Sequence, residues 1–310
     1  MMLAQEHVEH AATQAAEKFN AGELIIEHVS NSGIDHPLIH LPKVLGIDFS
    51  VTKHVLMLWI VAGLLYVVVT ALVRRYLKQE RSIPSGLMNG LEYVVEFIRD
   101  SVVLPNVGKK WVNTWTPLIL TLFVFILAAN AIGMFPIFEV LALVDRLVLH
   151  TGPESFINRV VHGSTTVTGN FNVTGALATI TFGAIIIAGT RAHGFVKHWK
   201  NLVPGGLNPV ITIGLIPIEV LGMIVRPFVL TMRLAANMTG GHIALVTLMS
   251  FVFIFTELFG RSIAYGVGFF VSVPFAVAIS GLELIVILVQ AYVFTLLTAV
   301  FIGMAIHTHH

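Results

Sequence analysis

The chain has no cysteine among its 310 residues, which excludes a disulfide framework, a thiolate metal site and a thiol nucleophile. Charge is scarce as well. Only 11% of residues are charged, against about 25% in an ordinary soluble domain, while 56% are hydrophobic. A net charge of +1 gives nucleic acid or any other polyanion nothing to hold. The first fifty residues contain no Arg and only Lys18 and Lys43, set against Glu6, Glu9, Glu17, Glu23, Glu27, Asp35 and Asp48. This composition fits neither a secretory signal nor an Arg-rich presequence. No HExxH pattern or nucleophile-and-base pair marks an enzyme, and no internal repeat marks the common secondary transporters. The reading that remains is an all-α integral membrane protein.

Spans are read from apolar runs of about 20 residues. The first covers residues 55–73 and ends in Arg74, Arg75, Lys78 and Arg81. Residues 85–103 place Leu87, Leu91, Val94, Val95 and Ile98 on one helical face, opposite Asn89, Glu92, Glu96 and Arg99. That pattern suits either a helix lying in the membrane interface or a short soluble hairpin. A second span, 115–135, begins beside Trp111 and Trp115, placed as interfacial anchors would be. A long loop, 136–172, carries a short-helix candidate at 140–149 and a Ser/Thr/Gly-rich run near Ser164. The third span is 173–190. Two overlong apolar stretches follow, 209–259 and 269–306. Each holds either two spans or one steeply tilted helix. Internal breakers are few, so we expect a long tilted C-terminal helical hairpin and about five membrane-embedded helices in all.

Loop charge orients these spans. Residues 74–110 hold seven Lys or Arg and 191–208 hold three, whereas 136–172 hold two and the turn near Arg261 holds one. The positive-inside rule places the basic loops in the cytoplasm. Residues 1–53 then form a polar, acidic extracytoplasmic segment ahead of a membrane domain at 54–310, whose C-terminus is cytoplasmic. Six histidines lie between His7 and His54, but their spacing is irregular. A solvated acidic tail is expected there rather than a metal site, and no cofactor is implied.

Arg233 is the residue that points to function. It lies inside the 209–259 stretch, and the nearest local acid, Glu219, is fourteen residues away. A guanidinium stays charged, and placing one near the bilayer centre costs at least about 2.5–3.5 kcal/mol. Glu219, Arg226 and Arg233 recur every seven residues, and Asn237 and Gly240 continue the line. In the last helix Glu283 and Gln290 are also seven apart, one turn beyond Ser280. Such stripes face a bundle interior or a watery cavity and mark ion routes. His242 adds a group able to titrate near neutral pH. Helix-to-helix hydrogen bonding would account for Ser280 and Gln290 alone, but poorly for two arginines and two glutamates.

At these residues the chain resembles subunit a of the F-type ATP synthase. The segment PFVLTMRLAANMTGGHI, residues 227–243, carries the family's Pro and R-L-x-x-N-M core, and LVQAYVFTLLT, residues 288–298, is close to its C-terminal signature. NVTGALA, residues 172–178, is similar to the family's third span, and the likeness covers about 110–310. It implies a non-catalytic stator subunit working against a ring of c-subunit proteolipids, with peripheral-stalk b subunits and the rest of the F1F0 complex as partners beside the lipid bilayer. It also implies two half-channels kept apart by Arg233. Asn237, His242, Glu283 and Gln290 match positions of the outer half-channel, Glu219 one near the cytoplasmic exit, and Asn130 a polar residue of the second span. Three residues after Asn130, where bacterial relatives often carry Asp, this chain has Gly133. A bacterial inner membrane is implied. The competing readings are a Na⁺-translocating version of the same subunit and a stand-alone ion or anion transporter.

One pairing can be set out in advance. In an antiparallel hairpin turning near residue 263, His242 and Glu283 fall at similar depth. An imidazole beside a carboxylate makes either a proton relay or a simple buried ion pair, and the resemblance supports the relay.

Overall fold

The computed structural model describes residue 39 and residues 50–78, 86–134, 167–200, 209–259, 266 and 268–307. Within these segments the side chains of residues 200, 209–213, 220, 242, 249, 251–259 and 269 lie outside the description. The short helix expected at 140–149, most of the turn at 260–267 and nearly all of the acidic N-terminal segment also fall outside it.

Helices account for nearly all of what is described, and the one β-type pairing among these residues is an isolated bridge between Ile39 and Val51. The helices are α1 (Lys53–Leu77), α2 (Leu87–Phe97), α3 (Leu104–Val107), α4 (Val112–Met134), α5 (Phe171–His193), α6 (Phe195–Lys200), α7 (Pro209–Phe259) and α8 (Val273–Ile306). Five of them are long and apolar enough to cross a membrane: α1, α4, α5, a stretch of α7, and α8 with the π-helical turn before it.

Local chemistry sets the ends. Asn170 caps α5 by accepting the Asn172 backbone N–H at 2.8 Å, and Arg191 and His193 in the last turn complement the negative end of the helix dipole. Gly194 then adopts φ +86°, a left-handed conformation in which a side chain would be strained, and the chain turns into α6. Pro227 does not break α7. Its carbonyl accepts the Thr231 hydroxyl at 3.0 Å, and the 51-residue helix runs on without interruption. Residues 209–259 therefore form one helix rather than two spans. The apolar segment Phe270–Ile306 has 37 residues and a length of about 55 Å, nearly twice a hydrocarbon core of about 30 Å. Crossing a bilayer requires it to lean steeply.

The core forms where α4, α5, α7 and α8 meet. Ile119, Leu122, Phe123 and Ile126 of α4 pack with Ala291, Phe294, Ala299 and Ile302 of α8, with Ala178, Ala184, Ile185 and Ala188 of α5, and with Leu230 and Leu234 of α7. Small residues let the backbones approach, because lipid tails provide little apolar drive to association and contact itself must supply it. Gly175 of α5 meets Thr231 of α7, and Thr181 of α5 lies 3.3 Å from Thr298 of α8, hydroxyl to hydroxyl.

The segment read as an interfacial helix or short hairpin is described from residue 86, and its burial changes along its length. Leu87 is exposed, but α2 continues through a π-helical turn, Ile98–Val103, into α3. Pro105 has no N–H to continue the ordinary ladder, and the Leu104 N–H reaches back to Arg99, five residues earlier. Ile98, Val102, Val103 and Val107 are fully buried in the main core. The amphipathic pattern was real, but its apolar face continues into protein. Arg99 and Asp100 pair on the surface at 2.8 Å, and this contact holds the Asp100 carboxyl below its usual range. Trp115 differs from the expected interfacial anchor as well. It is buried against the core, whereas Trp111 is half-buried with the Lys110 ammonium 5.3 Å from its ring.

Candidate functional site

The site is built on the antiparallel pair α7 and α8. Three contacts fix their register. Arg226 lies over the Phe301 ring at 5.4 Å, Asn237 Nδ2 donates to Gln290 Oε1 at 2.9 Å, and a Cβ added to Gly241 would stand 3.1 Å from Glu283 Oε1. As α7 runs towards the hairpin turn, its partners move back along α8 from Phe301 to Gln290 to Glu283. Gly241 is thus required for more than flexibility. Its missing side chain is the space in which the Glu283 carboxylate lies, and Glu283 and Gln290 are both buried.

Arg233 sits differently from its neighbours on the stripe. Arg226 is half-buried on Phe301, but Arg233 is exposed on the open flank of α7 among the exposed apolar side chains of Phe228, Val229 and Met232. The stripe does not simply face the bundle interior. One part, Glu283, Gln290 and the amide of Asn237, meets at the α7–α8 seam, and Arg233, on the same stripe, is exposed. Glu219 is half-buried fourteen residues before Arg233. His242 is helical and next to Gly241, and its side chain lies outside the described residues. Ser280 is half-buried and Gly240 has open space around it.

Asn130 belongs to a separate group. It is fully buried near the C-terminal end of α4, and its Oδ1 accepts the hydroxyl of Thr168. Thr168 lies in a 3₁₀ turn, Val167–Gly169, where the long loop returns to the bundle and packs against α4, α5 and α7. The carbonyl of Gly169 faces the Thr239 hydroxyl of α7 at 3.5 Å. Thr168 carries no signal in the sequence, and Thr239 and Gly241 stand out there only as part of a small-residue run suited to close helix approach. A threonine in a Ser/Thr/Gly-rich loop and a glycine in an apolar helix acquire significance only from what the fold sets beside them.

Two histidines act at the opposite end of the bundle. His193 Nε2 donates to the Ile306 carbonyl at 2.9 Å, and His307 Nε2 reaches the Val107 carbonyl at 3.3 Å, so both satisfy helix-end acceptors. His198 is buried against Gly189, and burial, with the nearby His193, lowers its pKa from the ordinary 6.5. Among the described residues no group of His, Asp and Glu is placed to hold a metal ion.

The chain is similar to known proteins along most of its length. The ATP synthase A chain family matches residues 55–303. ATP synthase subunit a 2 of Prosthecochloris aestuarii is 37% identical over 306 residues, covering 96% of this chain and 84% of that one. Its namesake in Chlorobium luteolum is 38% identical over 305 residues, covering 96% and 79%. Subunit a of Myxococcus xanthus is 38% identical over 265 residues, covering 85% and 75%. The chain is a multi-pass membrane protein, and it belongs to the ATP synthase A chain family.

Proposed function

We propose that this chain is the proton-conducting stator subunit of an F-type ATP synthase, itself non-catalytic, and that Arg233 separates two half-channels that serve a ring of c subunits. The observation that carries the reading is the exposure of Arg233 within a long apolar helix. A permanent cation on an apolar flank cannot rest against lipid, so it calls for a compensating group from a partner chain. A ring carboxylate that passes through lipid is held protonated, because desolvation disfavours its charge. Opposite Arg233 the charged form is favoured and the proton leaves. The fixed cation also repels hydronium and blocks a direct leak. Each elementary charge moved through 100 mV contributes about 2.3 kcal/mol, so several crossings are needed for each ATP.

Around that residue we assign Asn237, His242, Glu283 and Gln290, with Asn130, to the outer half-channel and Glu219 to the cytoplasmic exit. The seam between α7 and α8 supports the first assignment. The partners are the c-ring, the peripheral-stalk b subunits and the rest of F1F0. The chain resides in a bacterial inner membrane, with residues 1–53 outside, the membrane domain at 54–310, and the C-terminus in the cytoplasm. The test is Arg233→Ala and Arg233→Lys in the whole complex. Both are expected to assemble and to lose proton-driven ATP synthesis, because a compact ammonium does not replace a planar guanidinium. Normal synthesis in either variant overturns the reading. Repeating the transport assay with and without Na⁺ identifies the ion.

A further inference from the structure

α6 is built the wrong way round for water. Of its described side chains, Phe195, Val196 and Trp199 are 64%, 68% and 41% exposed, and the buried one is His198. Six residues are too few for a helix to persist alone. This one is held by the left-handed turn at Gly194, whose carbonyl accepts the His198 backbone N–H at 2.9 Å, and by the His198 ring, which fills the space a side chain at Gly189 of α5 would need. Phe195, Val196 and Trp199 share one helical face, with the Phe195 and Trp199 rings edge to face at 6.3 Å, and Lys197 lies on the other side. The cluster extends a flank that is already apolar. Ile180 and Ile187 are exposed seven residues apart on α5, and Arg191 is exposed one turn beyond them. Aliphatic side chains along a span, followed by aromatics and cations at its end, match the change from acyl chain to headgroup across a bilayer. Among the described residues no carboxylate pairs with Arg191 or Lys197.

We infer that α6 is a membrane-interface anchor, and that Arg191 and Lys197 make it a site for an anionic phospholipid headgroup in the leaflet where α5 ends. Phe195, Val196 and Trp199 enter the boundary of the acyl chains, which takes their apolar surface out of water. The two cations then stand at headgroup level, where a lipid phosphate is the nearest acceptor. A zwitterionic headgroup brings its own ammonium to compete for that phosphate, and an anionic one does not, so charge selects the lipid. The site requires only that α5 cross the membrane, which either orientation of the chain satisfies. Its effect reaches further than α6. His193, two residues after Arg191, donates to the Ile306 carbonyl of α8, so a lipid held at the end of α5 lies beside the link between these two helices.

The test uses the whole complex, with other reactive cysteines removed from its partner subunits and a bimane label attached through Val196→Cys. It is reconstituted in bilayers of phosphatidylcholine and phosphatidylglycerol in equal parts, with brominated acyl chains on one lipid or on the other. Quenching by both lipids is expected from insertion. Brominated phosphatidylglycerol should quench more strongly, on the order of fivefold, the worth of one basic side chain near a charged surface. Arg191→Gln with Lys197→Gln should make the two lipids quench equally while the label stays inserted. If that double variant assembles poorly, raising the salt concentration around the parent should narrow the difference in the same way. Phe195→Ser with Trp199→Ser should weaken quenching by both lipids. Quenching by aqueous iodide and by neither lipid overturns the anchor. A label shielded from iodide and from both lipids means that a protein partner covers α6, and this overturns it as well. Equal quenching by the two lipids in the parent overturns the headgroup site.

Discussion

Gly303 offers a sharp test of how α8 is seated. A Cβ placed there would stand 2.9 Å from the carbonyl carbon of Asn106 and closer still to its oxygen. Ordinary contact begins at 3.4 Å, so Gly303→Ala must drive α8 and α3 apart by about half an ångström or more. Neither side yields easily. The obstruction is backbone, and α3 is fixed by Pro105, by the π-helical turn before it and by fully buried Val107. Overpacking against such an obstacle costs up to about 3 kcal/mol, and the better helix propensity of Ala returns at most about 1 kcal/mol. The net loss should be about 2 kcal/mol, roughly thirtyfold in a folding equilibrium. Nearby contacts should loosen with it, including the His307 link to Val107 and the His193 link to Ile306. Thermal inactivation of the complex in detergent measures the effect, with Gly63→Ala as the control because nothing lies within 4 Å of that site. Gly303→Ala that resists heat as well as Gly63→Ala would refute the argument.

Gly241→Ala should behave in the opposite way: its Cβ meets the flexible end of Glu283 at 3.1 Å, so stability should fall by less than about 1 kcal/mol while proton uptake slows. Equal uptake by this variant and the parent would show that the carboxylate position is not critical. For the relay, His242→Ala and Glu283→Ala are each expected to slow uptake without removing the chain from the membrane. The double exchange His242→Glu with Glu283→His should outperform either single exchange, and a double no better than the worse single would sink the pairing. The cysteine-free chain suits labelling: a cysteine at Lys78 or Lys197 should react only from the cytoplasmic side, and external reactivity would refute the orientation. His198 gives a pH test. Its pKa in the folded chain is below the ordinary 6.5, so the unfolded form binds more protons between the two values. The contribution of neutral His198 is present above pH 6.5 and is lost as pH falls towards the folded value. Protection from hydrogen exchange at residues 195–200, corrected for the intrinsic pH dependence, should therefore fall as pH drops below 6.5, and His198→Leu should remove that fall.

The sequence by itself determined the class of the protein and its long helices, and it singled out Arg233 as the charge that needs a reason. Apolar runs, sparse charge and an isolated Arg233 follow from the bilayer's demand that backbone groups be satisfied internally and that charge be kept for a purpose. Heptad spacing also placed the polar stripes on both arms of the hairpin, and the contact between Asn237 and Gln290 is of the kind an antiparallel hairpin allows. What the tertiary structure decided is which way each polar group faces. Periodicity gives a face of a helix but not the neighbour that covers it. It could not separate Arg226, half-buried on Phe301, from Arg233, exposed on the flank. Nor could it show that the apolar face of residues 85–103 continues into the core, because the π-helical turn re-aims the side chains beyond Phe97. Thr168 and Gly241 are the clearest cases. The fold sets Thr168 against Asn130, 38 residues away, and Gly241 against Glu283 across the hairpin, and no local pattern of residues encodes such a meeting.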